Sequence, residues 1–387
     1  MAETKVKIES KLSLLFSYFI FSRAYILALV VLVSSFTVVE GTAPGGAVYE
    51  SWLVVKDLGG ALEGVARSAD AVWYEGIATN GYDVGTSPST EQHNWTFFPL
   101  YPLMMRFMAP LFGSPIAAGL VISNLCFLLS LVVLQAYLLE LGCSRQITRR
   151  SLWFLCIFPT TYFFSAPITE SLFLLLSLSS FYLAARKNWI SAGLVYALAS
   201  ATRPTALLIL PAFALVLYQG GALRNIKGWL SLAIAPTGGL AFMGYLYRLT
   251  GDPLAFSNNQ AAWNRFQHSF VELTSILAGS PETLMVNWNF LLINVLASLL
   301  GVALSIYLLT QKRYAWALIL FLPIASALST GSVMSMARFI AALFPTPIAL
   351  AMLSKKRSTE QIITFILTGL LTIMCLLYGA RATAGMA

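Results

Sequence analysis

Apolar runs separated by short basic clusters recur along the whole chain. Matched to roughly 15–25 residues per bilayer crossing, they predict about eleven spans, near residues 22–39, 114–139, 151–165, 167–185, 190–203, 204–218, 228–248, 287–310, 314–330, 337–353 and 361–379. The runs are rich in Leu and Ala and lack period-two alternation, so they predict helices and not the strands of a barrel. The pieces at 151–165, 190–203 and 204–218 are short, and pairs of them read equally as bent or re-entrant elements.

The basic clusters orient these spans. With the N-terminus inside, the inner loops carry Arg145, Arg149 and Arg150; Arg186 and Lys187; Arg224 and Lys227; Lys312 and Arg313; and Lys355, Lys356 and Arg357. Loops rich in Lys and Arg stay on the cytoplasmic side. Lys5, Lys7 and Lys11 precede the first run, and no small-residue cleavage site follows it, so it reads as an uncleaved first membrane helix. Two outer segments are long, 40–113 and 250–286, within one integral membrane domain covering 1–387. The first holds Glu40, Glu50, Asp57, Glu63, Asp70, Glu75, Asp83 and Glu91, half of the chain's 16 carboxylates. Its stretch Asn94-Trp95-Thr96-Phe97-Phe98-Pro99 reads as interfacial, because a span there would invert every later basic loop.

Composition agrees. The chain is 58% apolar and 10% charged, with a mean hydropathy of +0.76. A soluble domain is about 25% charged, so this chain cannot cover a water-facing surface. The net charge of +8 lies in separate loops and not in one stripe, which excludes nucleic acid as a partner. The four cysteines form no CxxC and read as small buried hydrophobes. His93 and His268 belong to no HExxH, and no glycine-rich phosphate loop is present. No metal site is predicted.

Charged groups near a bilayer are costly and usually have a task. Asp70, beside Trp73 and Tyr74, is placed to take a proton at the membrane surface, with Asp57 and Glu75 as competitors. Glu170 opens an apolar run and reads either as a helix-start carboxylate or as a site carboxylate on the outer face. Arg203 stands between two runs on the predicted outer side. It is either a bidentate phosphate clamp or an interfacial arginine. Arg338 sits at a predicted helix start, where a cation is unfavourable unless an anion joins it. Gln260, Trp263 and Asn264 combine indole and amides, which suits a sugar or an interfacial anchor. With charges almost all at span ends, a transporter or lipid-sugar flippase is the weaker reading.

These residues, with Phe97-Phe98-Pro99-Leu100-Tyr101-Pro102, Thr169-Glu170-Ser171, Ala201-Thr202-Arg203-Pro204-Thr205 and Arg338-Phe339, stand in an order that resembles the PIG-V-like mannosyltransferases. These are the GPI mannosyltransferase II family of the GT-C glycosyltransferase fold. Ala69 stands where that family's pattern has tryptophan before the aspartate, and Glu91 is offset by one from its second acid. The resemblance implies an all-α, GT-C-type bundle whose first outer loop carries interfacial helices. It implies inverting transfer of a hexose, with mannose preferred, from a polyprenyl-phosphate sugar to a glycolipid or glycan hydroxyl. Asp70 would be the base, and Arg203 and Arg338 would meet the donor phosphate. Trp73, Tyr74, Glu75, Glu91, His93, Glu170, Gln260 and Trp263 would contact substrate. Arginines that neutralise the leaving group make a metal cofactor unnecessary. A non-catalytic subunit of a transferase complex is the remaining rival, and a prokaryotic plasma membrane is the expected location.

Overall fold

The computed structural model of the chain describes residues 2–42, 48–55, 58–263, 292–330 and 332–380. Those residues form a helical bundle with one small antiparallel ribbon. The first helices are α1 (Ala2–Ser34), α2 (Leu58–Ala66), α3 (Ala71–Asn80), α4 (Leu100–Phe112), α5 (Pro115–Glu140) and α6 (Arg145–Cys156). Next come α7 (Glu170–Ala185), α8 (Trp189–Ser200), α9 (Thr205–Gln219), α10 (Ile226–Ile234), α11 (Thr237–Thr250) and α12 (Ala255–Asn258). The last are α13 (Ile293–Thr310), α14 (Tyr314–Ser329), α15 (Met336–Ala341), α16 (Pro345–Leu353) and α17 (Arg357–Gly379).

Among the described residues, five helical stretches are long and apolar enough to cross a bilayer: Ser13–Ser34, Pro115–Glu140, Ile226–Thr250, Ile293–Thr310 and Arg357–Gly379. Four shorter apolar helices, α7, α8, α9 and α14, pack among them. Helix α1 stops at Ser34, before the predicted boundary at 39, and the chain turns into strands Phe36–Thr42 and Val48–Val55. These pair antiparallel with Phe36 opposite Val55. The alternation with β-branched residues there suits a ribbon, which the hydropathy pattern alone does not reveal. Helix α4 has 13 residues. At 1.5 Å per residue that is about 20 Å, too short to cross. Its Phe107 and Leu111 face outward, 79% and 74% exposed.

Local chemistry fixes where the helices begin and end. Gly113, at φ +86°, ends α4, and Ser114 starts α5 by accepting the Ala117 N–H at 3.1 Å, with Pro115 in the first turn. Ser144 starts α6 in the same way through Ile147. Helices α8 and α11 cross so closely that a Cβ on Gly238 would lie 2.0 Å from the Ala197 carbonyl oxygen. Several buried hydroxyls bond to backbone within the bundle, as lipid favours: Ser180 donates to the Ala192 carbonyl at 2.9 Å and Tyr196 to the Ala206 carbonyl at 2.6 Å, whereas the Tyr162 and Ser231 hydroxyls have no partner among the described residues.

The bundle has two distinct ends. Helix α7 starts with Glu170 at one and finishes at Ala185 beside the other, about 24 Å away at helical rise. The basic loops gather at the second end. Arg149 and Arg150 reach Glu360 at 3.0 and 2.6 Å, and Arg186 lies 3.9 Å from Glu140. Arg313 stacks over Trp316, whose indole donates to Tyr137 at 3.0 Å. One charge departs from the predicted span-end pattern. Arg23, inside α1, donates to the Thr161 carbonyl and hydroxyl at 2.9 Å and to Ser165 at 3.0 Å, and lies over the Phe127 ring. Neutral oxygens solvate this cation, a known way to carry arginine in a span. It thereby staples the irregular stretch between α6 and α7 that underlies the site.

Candidate active site

At the end opposite the basic loops, four charged side chains form one chain of ion pairs. Asp70 Oδ2 accepts from Arg338 Nη1 at 2.7 Å. Arg338 Nε lies 3.2 Å from Glu170 Oε1, and that same oxygen takes Arg203 Nη1 at 2.5 Å. Glu170, Arg338 and Arg203 are buried, while Asp70 keeps 18% of its side chain exposed. Two carboxylates and two guanidiniums sum to zero, which permits burial of the group.

Each member is placed by backbone detail. Ala69 adopts φ +60°, a left-handed turn that costs a non-glycine residue about 1–2 kcal/mol. The turn makes Asp70 the residue that starts α3. Its side chain does not cap that helix, and reaches Arg338 instead. Arg338 sits in α15, which follows Ser335 at φ +64°. The Asn294 side chain accepts the Ala337 N–H at 3.0 Å and Thr160 donates to the Ala337 carbonyl at 2.8 Å, pinning α15 from both sides. Arg338 is therefore not the lone helix-start cation that the pattern suggested. Its anions are the protein's own carboxylates. Arg203 occupies the break between α8 and α9, so the two short apolar pieces there are separate helices.

Three groups outside the predicted set complete the arrangement. The Thr169 hydroxyl lies 3.2 Å from both the Tyr74 hydroxyl and Arg203 Nη1. The Phe339 ring is shared by both arginines, at 5.2 Å from Arg203 and 5.7 Å from Arg338, a cation–π contact on each side. Phe97 stacks on Trp73 at 5.7 Å and meets Trp263 edge-on at 5.9 Å. Burial, followed by the charges of Asp70 and Glu170, pushes the Tyr74 phenol well above its ordinary range, so it remains a donor. Thr169 and Phe339 were visible in the sequence only as neighbours of Glu170 and Arg338 within the motifs Thr169-Glu170-Ser171 and Arg338-Phe339, with no role attached.

A cavity of about 410 Å³ opens against this wall. Asp70, Tyr74, Arg203 and Arg338 line its charged side and Gln260 and Trp263 its polar and aromatic side. Leu207 and Leu208 from α9, with Pro323 and Ala327 from α14, form an apolar side. Trp263 meets Trp73 edge-on at 5.2 Å, and its indole N–H has no partner among the described residues.

The structure separates the remaining predicted contacts from this cavity. Glu170 stands behind the arginines, 2% exposed, and does not line it. Trp73 backs Phe97 and Trp263 from outside. Glu75 turns away to Arg67 at 3.1 Å, an arginine just past the end of α2. Glu91 is exposed and offers its backbone carbonyl to Asn259 at 2.9 Å. His93 stacks on Trp95 at 4.0 Å, with Ser89 and Asp83 beside its ring nitrogens. These last two belong to a loop scaffold in which Asn94 and the Trp95 indole bind Asp83 and Gly81. Asp57, Asn264 and His268 lie outside the described residues. Among the described residues no three His, Cys, Asp or Glu side chains come together as metal ligands, and the acids at the cavity are held by arginine.

A family model described as Mannosyltransferase (PIG-V) matches residues 11–222. This range includes Asp70, Glu170 and Arg203, and ends before Gln260, Trp263 and Arg338. Over 162 residues the chain is 31% identical to a GPI alpha-1,6-mannosyltransferase 2 of Cricetulus griseus, covering 38% of this chain and 30% of that protein. It is 33% identical over 162 residues to the protein so named from Mus musculus, covering 39% of this chain and 31% of that protein. The matched stretch thus spans under a third of the length of these curated relatives.

Proposed function

Because the chain belongs to the mannosyltransferase (PIG-V) family, we propose that it moves mannose from a polyprenyl-phosphate donor to a hydroxyl of a glycolipid acceptor, on the membrane face opposite its basic loops. By the positive-inside rule that face is non-cytoplasmic. The observation that carries the reading is the direct pairing of Asp70 with Arg338 on the wall of a cavity that is charged on one side and apolar on another. A polyprenyl-phosphate sugar has the same three parts: a lipid chain for the α9 and α14 wall, an anion for the arginines, and a sugar for Trp263 and Gln260.

The step follows from that placement. The acceptor hydroxyl oxygen bonds to the anomeric carbon from the side away from the phosphate, and its proton passes to Asp70. The bond from the anomeric carbon to the phosphate oxygen breaks, and the electron pair leaves with the phosphate. That oxygen gains negative charge, which Arg338 and Arg203 stabilise from a buried, preorganised position. Attack from the far side inverts the anomeric centre.

The resting ion pairs set a condition on this step. The four-charge group is neutral, so a phosphate that pairs with Arg338 competes with Asp70 for it. The same exchange releases the Asp70 carboxylate from its bond to Arg338. Donor arrival thereby prepares the base.

The test is transfer from labelled polyprenyl-phosphate mannose or glucose to a lipid extract by purified protein in liposomes. Wild type should transfer mannose, and Asp70→Asn should lose about 10²–10⁴-fold in rate while remaining folded. Equal transfer by both proteins removes Asp70 as base, and preference for glucose removes mannose.

A further inference from the structure

The basic end carries a second feature that the transfer chemistry does not use. The segments 144–150 and 354–360 hold Arg145, Arg149, Arg150, Lys355, Lys356 and Arg357 against one carboxylate, Glu360. Glu360 is already bound by Arg149 at 3.0 Å and Arg150 at 2.6 Å, and Arg150, buried, also donates to the Ser354 carbonyl. Arg357 makes no hydrogen bond or salt bridge among the described residues. Five positive charges are thus left uncompensated around one place.

That place is a groove of about 770 Å³ between α6 and α17. Gln146 and Arg149 form one wall. Arg357, Glu360, Gln361, Thr364, Phe365 and Thr368 form the other. The α17 residues follow spacings of three and four, so they make one stripe down a single helix face. The stripe passes from charged side chains, Arg357 and Glu360, through the Gln361 amide to the uncharged Thr364, Phe365 and Thr368, over about 16 Å of helical rise. Below the charged end the helix is apolar enough to span a bilayer, and Phe365 is 81% exposed.

We propose that this groove binds an anionic phospholipid of the cytoplasmic leaflet. The headgroup phosphate meets Arg357 and Arg149, the Gln361 and Thr364 side chains donate to the glycerol ester carbonyls, and an acyl chain lies along Phe365. Charge complementarity selects an anion. The descent in polarity selects a lipid over a soluble phosphate, because a free anion would use only the top of the groove. This assignment is independent of the transfer reaction at the far end.

The test uses the full chain in a neutral detergent, with unfolding midpoint and lipid retention in native mass spectrometry as readouts. Phosphatidylglycerol should raise the midpoint and stay bound, whereas phosphatidylcholine and glycerol phosphate should do neither. The Arg149→Gln/Arg357→Gln double variant should lose the response. Thr364→Phe, which fills the groove without altering charge, should lose it too, with an unchanged midpoint in detergent alone. Arg186→Gln/Lys187→Gln, on another loop of the same end, should keep it. A full response in Thr364→Phe, or loss in the Arg186/Lys187 control, would show a diffuse surface field and overturn the site. Equal protection by glycerol phosphate would overturn the lipid, and equal protection by phosphatidylcholine would overturn the charge selection.

Discussion

At one end of the bundle two arginines and two carboxylates are buried and joined in a row, with Phe339 between the cations. At the other end Arg149 and Arg150 hold Glu360, and Arg145, Lys355, Lys356 and Arg357 on the same two segments stand exposed. The two ends use the same residue types for different purposes. Buried charge away from water must be paired, and removing one partner strands the other. Exposed charge is screened and individually weak, so it acts by number and fixes which face of the membrane a loop occupies. A chemical site needs the first arrangement and an orientation signal needs only the second.

Substitutions at the two ends should therefore differ in kind. The largest effect is the loss of transfer in Asp70→Asn described above. Next is Glu170→Gln, which leaves Arg203 and Arg338 buried without their shared carboxylate. It should destabilise the protein by about 3–5 kcal/mol, read by unfolding in mixed micelles. Adding Arg203→Leu should recover part of the loss, and no recovery would mean that Glu170 is not charge compensation.

A smaller effect has the opposite sign. Asp70→Asn should bind a short polyprenyl phosphate about tenfold more tightly than wild type, since Arg338 no longer has to be drawn from a carboxylate. Titration of purified protein measures this. Equal affinities would discard the exchange while leaving phosphate binding itself intact, whereas absence of binding to either protein would discard the phosphate donor. Trp263→Ala should raise KM for donor up to roughly tenfold with a lesser change in kcat, the signature of lost sugar contact and not of lost chemistry. At the basic end, Arg149→Gln alone should change stability by about 0–1 kcal/mol and leave transfer unaltered. A loss there comparable to that of Glu170→Gln would erase the distinction between the two ends.

The sequence by itself determined the class of molecule. Low charge and long apolar runs demand lipid as solvent, and lipid demands helices. It also supplied the grouping of the basic loops, because charge in a loop is legible without knowing what the loop touches. It named Asp70, Arg203, Arg338, Glu170, Gln260 and Trp263, since charge and indole near a membrane stand out against an apolar background. The family match, over residues 11–222, covers Asp70, Glu170 and Arg203 among them.

Tertiary structure decided the pairings. Asp70 and Arg338 are 268 residues apart and meet at 2.7 Å, a pairing that no local pattern contains. Glu170 was legible as an important acid, but only packing puts it behind the arginines and outside the cavity. Glu75 and His93 were equally plausible as site residues until Arg67 and Trp95 claimed them. Arg23 drew no reading from the sequence, and its partners Thr161 and Ser165 lie on an irregular stretch far along the chain. The physical reason is common to all four. Hydropathy is a sum of single-residue solvation terms and can be read along a line, whereas an ion pair depends on which side chains the fold brings within a few ångströms.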